Sequence, residues 1–349
     1  MIKKDIGIGV IGIGMGSNLL PINRNPDSRL EVRGVCSRTE SKVARLAEEW
    51  SLPFWTTDYR ELVVREDIQV IGVYSPDHLH AEHAMAALRA GKHVVCTKPM
   101  CTRVEDAEKM VRLVDETGLT FLVGQTMRFD PEFSGAKRML DDGDLGEIIF
   151  AEAHYVHDAR TFFPLTPWRL QAPQDLVYGG ASHPIDLLCW FLGDVEEVHA
   201  YARKGNLTPE YPYEDNYIIN LKFESGAIAR VLAAYGLVEA PMPMMGLGLY
   251  GTQASLIADF TDQQDGHLKV VLDKLEEHPV ASMTFPAETE GAFGHQAGVM
   301  RYLQHFEECL SEGKTPSPSV RDGAKSIAVC SAAWQSIREG GVVKVRTDF

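Results

Sequence analysis

Ile6-Gly7-Ile8-Gly9-Val10-Ile11-Gly12-Ile13-Gly14-Met15-Gly16-Ser17-Asn18-Leu19-Leu20 reads as an apolar strand that runs into a glycine-rich turn and then a helix. In that context a glycine fingerprint points to a dinucleotide. Glycines form the tight turn and let backbone N–H groups approach a pyrophosphate, which a helix N-terminus favours electrostatically. Gly12 and Gly14 take the first two positions of G-x-G-x-x-G, while the third falls on Ser17 with Gly16 one residue early. Gly7, Gly9 and Gly12 match the same letters but lie inside the strand pattern. Gly12, Gly14 and Gly16, with Met15 between them, are therefore the expected phosphate cradle.

The stretches that follow repeat the strand–helix rhythm. Residues 30–36 read as a second strand, 39–50 as a helix, and 68–74 as a strand ending in Ser75-Pro76-Asp77. A helix over 81–90 closes at Gly91, and 92–96 form the next strand. A helix over 104–116 then leads to a strand at 119–124. Such alternation predicts a doubly wound parallel sheet of the Rossmann kind. The end of its second strand discriminates between the two nicotinamide dinucleotides, an acidic residue there binding the ribose 2′-hydroxyl. Here stand Ser37-Arg38-Thr39. A hydroxyl and a guanidinium suit a 2′-phosphate, so NADP(H) is expected in preference to NAD(H). In Val94-Val95-Cys96-Thr97-Lys98-Pro99, Lys98 directly follows a buried strand, where a side chain enters the ligand crevice from a rigid element. It is the first catalytic candidate.

Composition narrows the classes. The chain has 349 residues, more than one core usually supports, so two domains are expected, at 1–124 and 125–349. Its formal net charge of -15 argues against nucleic acid or an anionic membrane as the main partner. No apolar run approaches the roughly 20 residues of a spanning helix. Residues 1–5 run straight into a strand pattern without a signal-like apolar segment, so a cytoplasmic protein is expected. Cys36, Cys96, Cys101, Cys189, Cys309 and Cys330 contain no C-x-x-C pair and read as reduced. His80 with His83, or His154 with His157, offers a conceivable metal pair. The expectation is nonetheless no metal, because histidines at a strand-to-helix turn near a cofactor are the simpler reading.

The second half changes period. Residues 147–156 read as a strand, 218–223 and 227–232 as a hairpin about Glu224-Ser225-Gly226, and 245–250 as another strand. Helices are expected at 296–312 and 322–339. The outcome is an α+β domain on a large, mostly antiparallel open sheet. Within it, Tyr178-Gly179-Gly180-Ala181-Ser182-His183-Pro184-Ile185-Asp186 delivers His183 from a glycine turn near a helix start, with Asp186 three residues on and able to face the same way. A carboxylate near an imidazole fixes its tautomer and raises its basicity, as a general base requires; a structural His–Asp contact is the alternative. Arg128 in Gly124-Gln125-Thr126-Met127-Arg128 could bind substrate or brace structure at the domain junction. Tyr155, Trp168, Arg169 and Tyr178 supply the aromatic faces and donors that recognise polyols.

Ser75-Pro76-Asp77-His78-Leu79-His80 together with Ala87-Leu88-Arg89-Ala90-Gly91-Lys92-His93-Val94-Val95-Cys96-Thr97-Lys98-Pro99 resembles the glucose–fructose oxidoreductase, inositol dehydrogenase and rhizopine-catabolism (Gfo/Idh/MocA) family, which carries T-P-N-x-x-H, A-L-x-A-G-K-H-V and E-K-P. The 178–193 stretch is similar to that family's G-G-G-x-x-x-D-x-G-x-H-x-x-D-L. The resemblance implies a two-domain NAD(P)-dependent oxidoreductase acting on a sugar, inositol or related cyclic polyol. His183 would be its acid/base residue, with Lys98 and Asp186 beside it. Ser75, Pro76, His80, Thr97, Lys98 and Gln125 would join the cofactor set. A homodimer or homotetramer through the open sheet face is also implied. Two positions depart from the pattern: Thr97 replaces the usual Glu, and Gly179 stands where the family has an extra Asp, a gap that Asp186, Tyr178 or Asp175 would fill. A glycosidase that uses tightly held NAD on the same fold, and a non-catalytic dinucleotide or sugar sensor, are the rival expectations.

Overall fold

A computed structural model describes residues 3–166, 168–171, 175–260, 266–272, 280–285 and 296–349. Its contacts divide the chain into two compact units, residues 1–126, 290–324 and 349 in the first, and 127–289 with 325–348 in the second.

The first unit is built on β1 (Ile6–Ile11), β2 (Leu30–Cys36), β3 (Phe54–Thr56), β4 (Val70–Val73), β5 (His93–Thr97) and β6 (Phe121–Gly124). These pair in parallel in the order β3-β2-β1-β4-β5-β6, the doubly wound sheet that the sequence predicts. Helices α1 (Glu40–Glu49), α2 (Tyr59–Val63), α3 (His80–Arg89) and α4 (Val104–Thr117) connect successive strands. A sheet covered on both faces needs strands that are apolar throughout. Ile8, Val10, Val70, Ile71, Val94 and Val95 are accordingly buried. The expected helix after the glycine turn is present over Met15–Arg24 but winds as a 3₁₀ helix. Pro21 lies inside it, and a residue without an N–H cannot join an α-helical ladder.

The boundary expected from sequence at 124/125 takes no account of a return. Segment 296–324 packs with the first unit, where the backbone N–H of Val123 in the edge strand β6 donates to the Pro318 carbonyl (3.0 Å). The Tyr302 hydroxyl meets that of Tyr74, both residues being buried. Ser28 Oγ donates to Glu307 Oε2 at 2.5 Å.

The second unit contains α5 (Pro131–Asp141), α6 (Trp168–Gln171) and α7 (Ser182–Leu192) with a nine-stranded sheet. Its strands are β7 (Ile148–Val156), β8 (Val195–Arg203), β9 (Asn216–Phe223), β10 (Ile228–Ala234), β11 (Met245–Gly251), β12 (Ala254–Phe260), β13 (Gly266–Leu272), β14 (Val280–Phe285) and β15 (Val343–Lys344). Their order is β14-β13-β12-β11-β7-β10-β9-β8-β15, antiparallel except where β7 meets β10. The expected hairpin joins β9 to β10. One face is buried through Ile219, Leu221, Val231, Leu247, Leu249, Leu256 and Val270, while Ile218, Ile228, Tyr250, Ile257 and Val271 on the other are exposed. The helix α8 (Gln296–Glu312) belongs to the first unit, and α9 (Val320–Glu339) begins there and continues into the second. No helix among the described residues is long and apolar enough to cross a membrane.

Tyr302→Phe removes one half of the buried hydroxyl pair and leaves Tyr74 without that partner. The expected loss is about 1–3 kcal/mol of unfolding free energy, largely recovered in the Tyr74→Phe/Tyr302→Phe double variant because neither hydroxyl is then stranded. Urea denaturation of the three proteins measures both effects.

Candidate functional site

In a parallel sheet all carboxyl ends lie along one edge, and the ligand crevice forms where the strand order reverses. That reversal falls between β1 and β4. Gly12, just after β1, has φ +96°, and a Cβ placed there would sit 2.3 Å from the Tyr74 carbonyl oxygen and 2.7 Å from the Ser75 nitrogen. Any side chain would wedge the two strand ends apart. The opposite situation holds at Gly14, which is exposed, with nothing within 4 Å of its Cβ direction. The turn is thus closed against the sheet and open outward, as a cradle for a phosphate needs. Ser17 Oγ steadies it by donating to the Gly14 carbonyl at 2.9 Å.

The other expected cofactor residues lie along the same edge. After β2 come Ser37, half-buried, and Arg38, exposed. After β4 come Ser75 and Pro76. The ring of His80, fully buried, sets Nε2 2.6 Å from the Ser75 carbonyl oxygen and Nδ1 2.7 Å from that of Pro99, so it ties the end of β4 to the turn after β5. Thr97 ends β5, and Lys98, half-buried, follows it. After β6, Gln125 is buried, and its Oε1 has no hydrogen-bond partner among the described residues. An outward-facing glycine turn, an orphaned acceptor and a hydroxyl–guanidinium pair after β2 fit a dinucleotide. His83 Nδ1 lies 2.8 Å from Ser75 Oγ. Burial draws the His83 ring down to about 4, which keeps it neutral at pH 7. Among the described residues no group of three or more His, Cys, Asp or Glu is placed to hold a metal.

The second unit holds the imidazole candidate. Residues Val177–Ala181 form a π-helical turn directly ahead of α7, a feature common at functional sites. Asp175 shapes its start, accepting the Val177 N–H on Oδ1 at 2.7 Å and the Gly179 N–H on its carbonyl at 2.7 Å. A Cβ at Gly180 would lie 2.9 Å from the Tyr155 ring and 2.4 Å from Leu176, so the close approach of turn and strand admits only glycine. That approach brings Tyr155 against His183, ring centroids 5.6 Å apart and 24° from parallel. His183 is 3% exposed. His157 and Tyr235 meet the Tyr155 ring edge-on, and Phe162 meets His157 and Tyr235 in the same way. Arg169 lies with its guanidinium carbon 5.8 Å from the Phe162 ring centre. The expected Tyr178 is half-buried on the same turn. The Trp168 side chain lies outside the described residues.

Asp186, expected to serve the His183 ring, binds Arg128 and Ser326 through its two oxygens. Oδ2 accepts from Arg128 Nε at 2.7 Å, and Oδ1 from Arg128 Nη2 at 2.8 Å and from Ser326 Oγ at 3.2 Å. Arg128 also lies over the Trp190 ring at 5.6 Å. Of the two roles the sequence allows Arg128, this geometry supports the structural one: a bidentate guanidinium neutralises a carboxylate in the core. Phe162, Tyr235 and Ser326 are not among the sequence candidates. Phe162 follows the polar-aromatic 154–160 run, but nothing near Tyr235 or Ser326 marks them locally.

Removing one member of a buried ion pair strands the other charge, at about 3–5 kcal/mol, whereas an apolar pair of similar volume is close to neutral. Arg128→Met should therefore lower stability by that amount, and Arg128→Met/Asp186→Leu should regain most of it, as read by guanidinium unfolding monitored by circular dichroism.

The profile of an oxidoreductase family with an NAD-binding Rossmann fold (Gfo/Idh/MocA) matches residues 6–125, and that of the family's C-terminal alpha/beta domain matches residues 137–345. Levoglucosan dehydrogenase of Pseudarthrobacter phenanthrenivorans is 24% identical over 98% of each chain, and inositol 2-dehydrogenase 2 of Saccharopolyspora erythraea 27% identical over 97% of this chain and 95% of its own. A solved structure of levoglucosan dehydrogenase in complex with NADH shares the fold at a TM-score of 0.86, with 23% identity over 98% of this chain and all of the other.

Proposed function

We propose that this chain, which belongs to the Gfo/Idh/MocA oxidoreductase family, transfers a hydride between a nicotinamide dinucleotide and a hydroxyl-bearing or carbonyl carbon of a sugar, inositol or related cyclic polyol. The observation that carries the reading is the row of Gly12, Gly14, Met15, Gly16, Ser37, Arg38, Ser75, Pro76, His80, Thr97, Lys98 and Gln125 along one edge of the parallel sheet. The sugar and inositol dehydrogenases among its relatives support the substrate class. The first unit carries the dinucleotide and the second the substrate and assembly functions, in the cytoplasm.

The dinucleotide, when bound, supplies the hydride donor or acceptor. In the oxidation direction His183 takes the hydroxyl proton on a ring nitrogen, and the carbon gives up its hydrogen with the electron pair. The Lys98 ammonium donates a hydrogen bond to the same oxygen as it becomes a carbonyl, offsetting the charge that develops there. Asp186 with Arg128 holds the N-terminal half of α7 in place, so that its contribution is one of position. Tyr155 offers a planar face to sugar C–H edges, and Tyr178, Trp168 and Arg169 offer donors and ring faces. Ser37 and Arg38 favour NADP(H), since an exposed guanidinium suits a 2′-phosphate.

Two measurements test this. Screening sugars and polyols by reduced-cofactor absorbance should reveal turnover, faster with NADP(H). Lys98→Ala and His183→Ala should each lower it by more than about a hundredfold, roughly 2.7 kcal/mol of transition-state stabilisation, with dinucleotide binding retained. Net hydrolysis without cofactor turnover would indicate the glycosidase reading, and binding without turnover the sensor.

The exposed apolar residues on the outer sheet face, Ile218, Ile228, Tyr250, Ile257 and Val271, support assembly into a dimer or tetramer. Light scattering should give twice or four times the 38.7 kDa chain mass, and Ile228→Lys/Ile257→Glu should give the monomer.

A further inference from the structure

We propose that His83 is a positioning residue that holds the Ser75 hydroxyl for a hydrogen bond to the bound dinucleotide, an inference that rests on the dinucleotide reading of the first unit. Ser75 stands at the strand reversal, its backbone nitrogen abutting Gly12. Its carbonyl is held by His80 Nε2 at 2.6 Å. What remains free to turn is the side chain, which has three staggered wells about Cα–Cβ. His83 Nδ1, 2.8 Å from Oγ, selects one of them.

The histidine is itself fixed. It is buried on α3, the Tyr59 ring packs on it at 4.4 Å and 57°, and the Tyr59 hydroxyl donates to Oε1 of the neighbouring Glu82 at 2.7 Å. Because burial keeps the ring neutral, it steers Ser75 without placing a charge beside the phosphate cradle. Ser75 is half-buried, so its hydroxyl keeps an accessible side. A polar group already held in its bound orientation loses less freedom when the ligand arrives. His83 lies three residues beyond the His80 of the T-P-N-x-x-H pattern, so the motif does not call for it.

The test is a fluorescence titration of NADH and NADPH against the full chain and its variants, with thermal unfolding alongside. Ser75→Ala and His83→Phe should each raise Kd about fivefold, the worth of one neutral hydrogen bond. The double variant should be no weaker than Ser75→Ala alone, because the two residues act as one unit. His83→Asn, whose side-chain amide can reach the position of Nδ1, should return to within about twofold of the parent. In turnover, cofactor KM should rise while kcat stays level. Parent-like affinity in His83→Phe, additive losses in the double variant, or a His83→Asn as weak as His83→Phe would each overturn the proposal. If His83→Phe does not fold, His83→Gln takes its place, since its amide sits too far out to reproduce Nδ1, and parent-like binding by it overturns the proposal equally. A parent chain that binds neither dinucleotide overturns the reading and the inference together, whereas a binding parent with an unaffected Ser75→Ala overturns the inference alone.

Discussion

The first unit depends on a contact that leaves no room for a side chain, that of Gly12 against the backbone of Tyr74 and Ser75. β1 and β4 are the strands at which the sheet order reverses, and their ends must lie close for the crevice to open above them rather than between them. Several features follow from this closeness. The turn faces outward at Gly14, and Tyr74 is driven into the interior, where its hydroxyl needs the partner that Tyr302 provides. Ser75 is left at the rim with its carbonyl held by His80 and its hydroxyl by His83. His80 passes the constraint to Pro99, next to Lys98, so the lysine stands on a turn that is tied to the neighbouring strand end.

The second unit solves a similar problem with charge. Arg128, Asp186 and Ser326 come from three separate elements and converge in a core that excludes water. A carboxylate there is tolerable because the Arg128 guanidinium and the Ser326 hydroxyl donate to it. The arrangement anchors α7 near its start, and the glycine turn ahead of it lets Tyr155 stack on His183. The imidazole is therefore oriented by packing on one side and by a rigid helix on the other. Where the family pattern has a further carboxylate, Gly179 donates its N–H to the Asp175 carbonyl, and the Asp175 carboxylate accepts the Val177 N–H at the start of the turn.

Much of this was legible in the residues. The glycine turn, the apolar runs of β1, β4 and β5, and the lysine after Thr97 are local signals, because a buried parallel strand must be apolar throughout and a turn against it must lack side chains. The hairpin about Glu224-Ser225-Gly226 and the helix over 296–312 are equally local. The strand β8 was hidden because its register shifts between Val195 and Glu197, which breaks the two-residue period. In β12, Ile257 fills an outward position where a polar residue would have revealed the alternation. β13 alternates openly, His267 and Lys269 outward, Leu268 and Val270 inward.

The chain by itself determined where each candidate group would stand on its own element, since the helical and strand periods and the glycine turns are properties of consecutive residues. Only the tertiary structure decided which groups from distant parts of the chain meet. Asp186 pairs with Arg128, 58 positions away, and Tyr74 with Tyr302, 228 positions away. Segment 296–324 returns to pack in the first unit. Such partners are chosen by the requirement that every buried polar group find a complement in whatever the fold brings near it, and no local pattern records that choice.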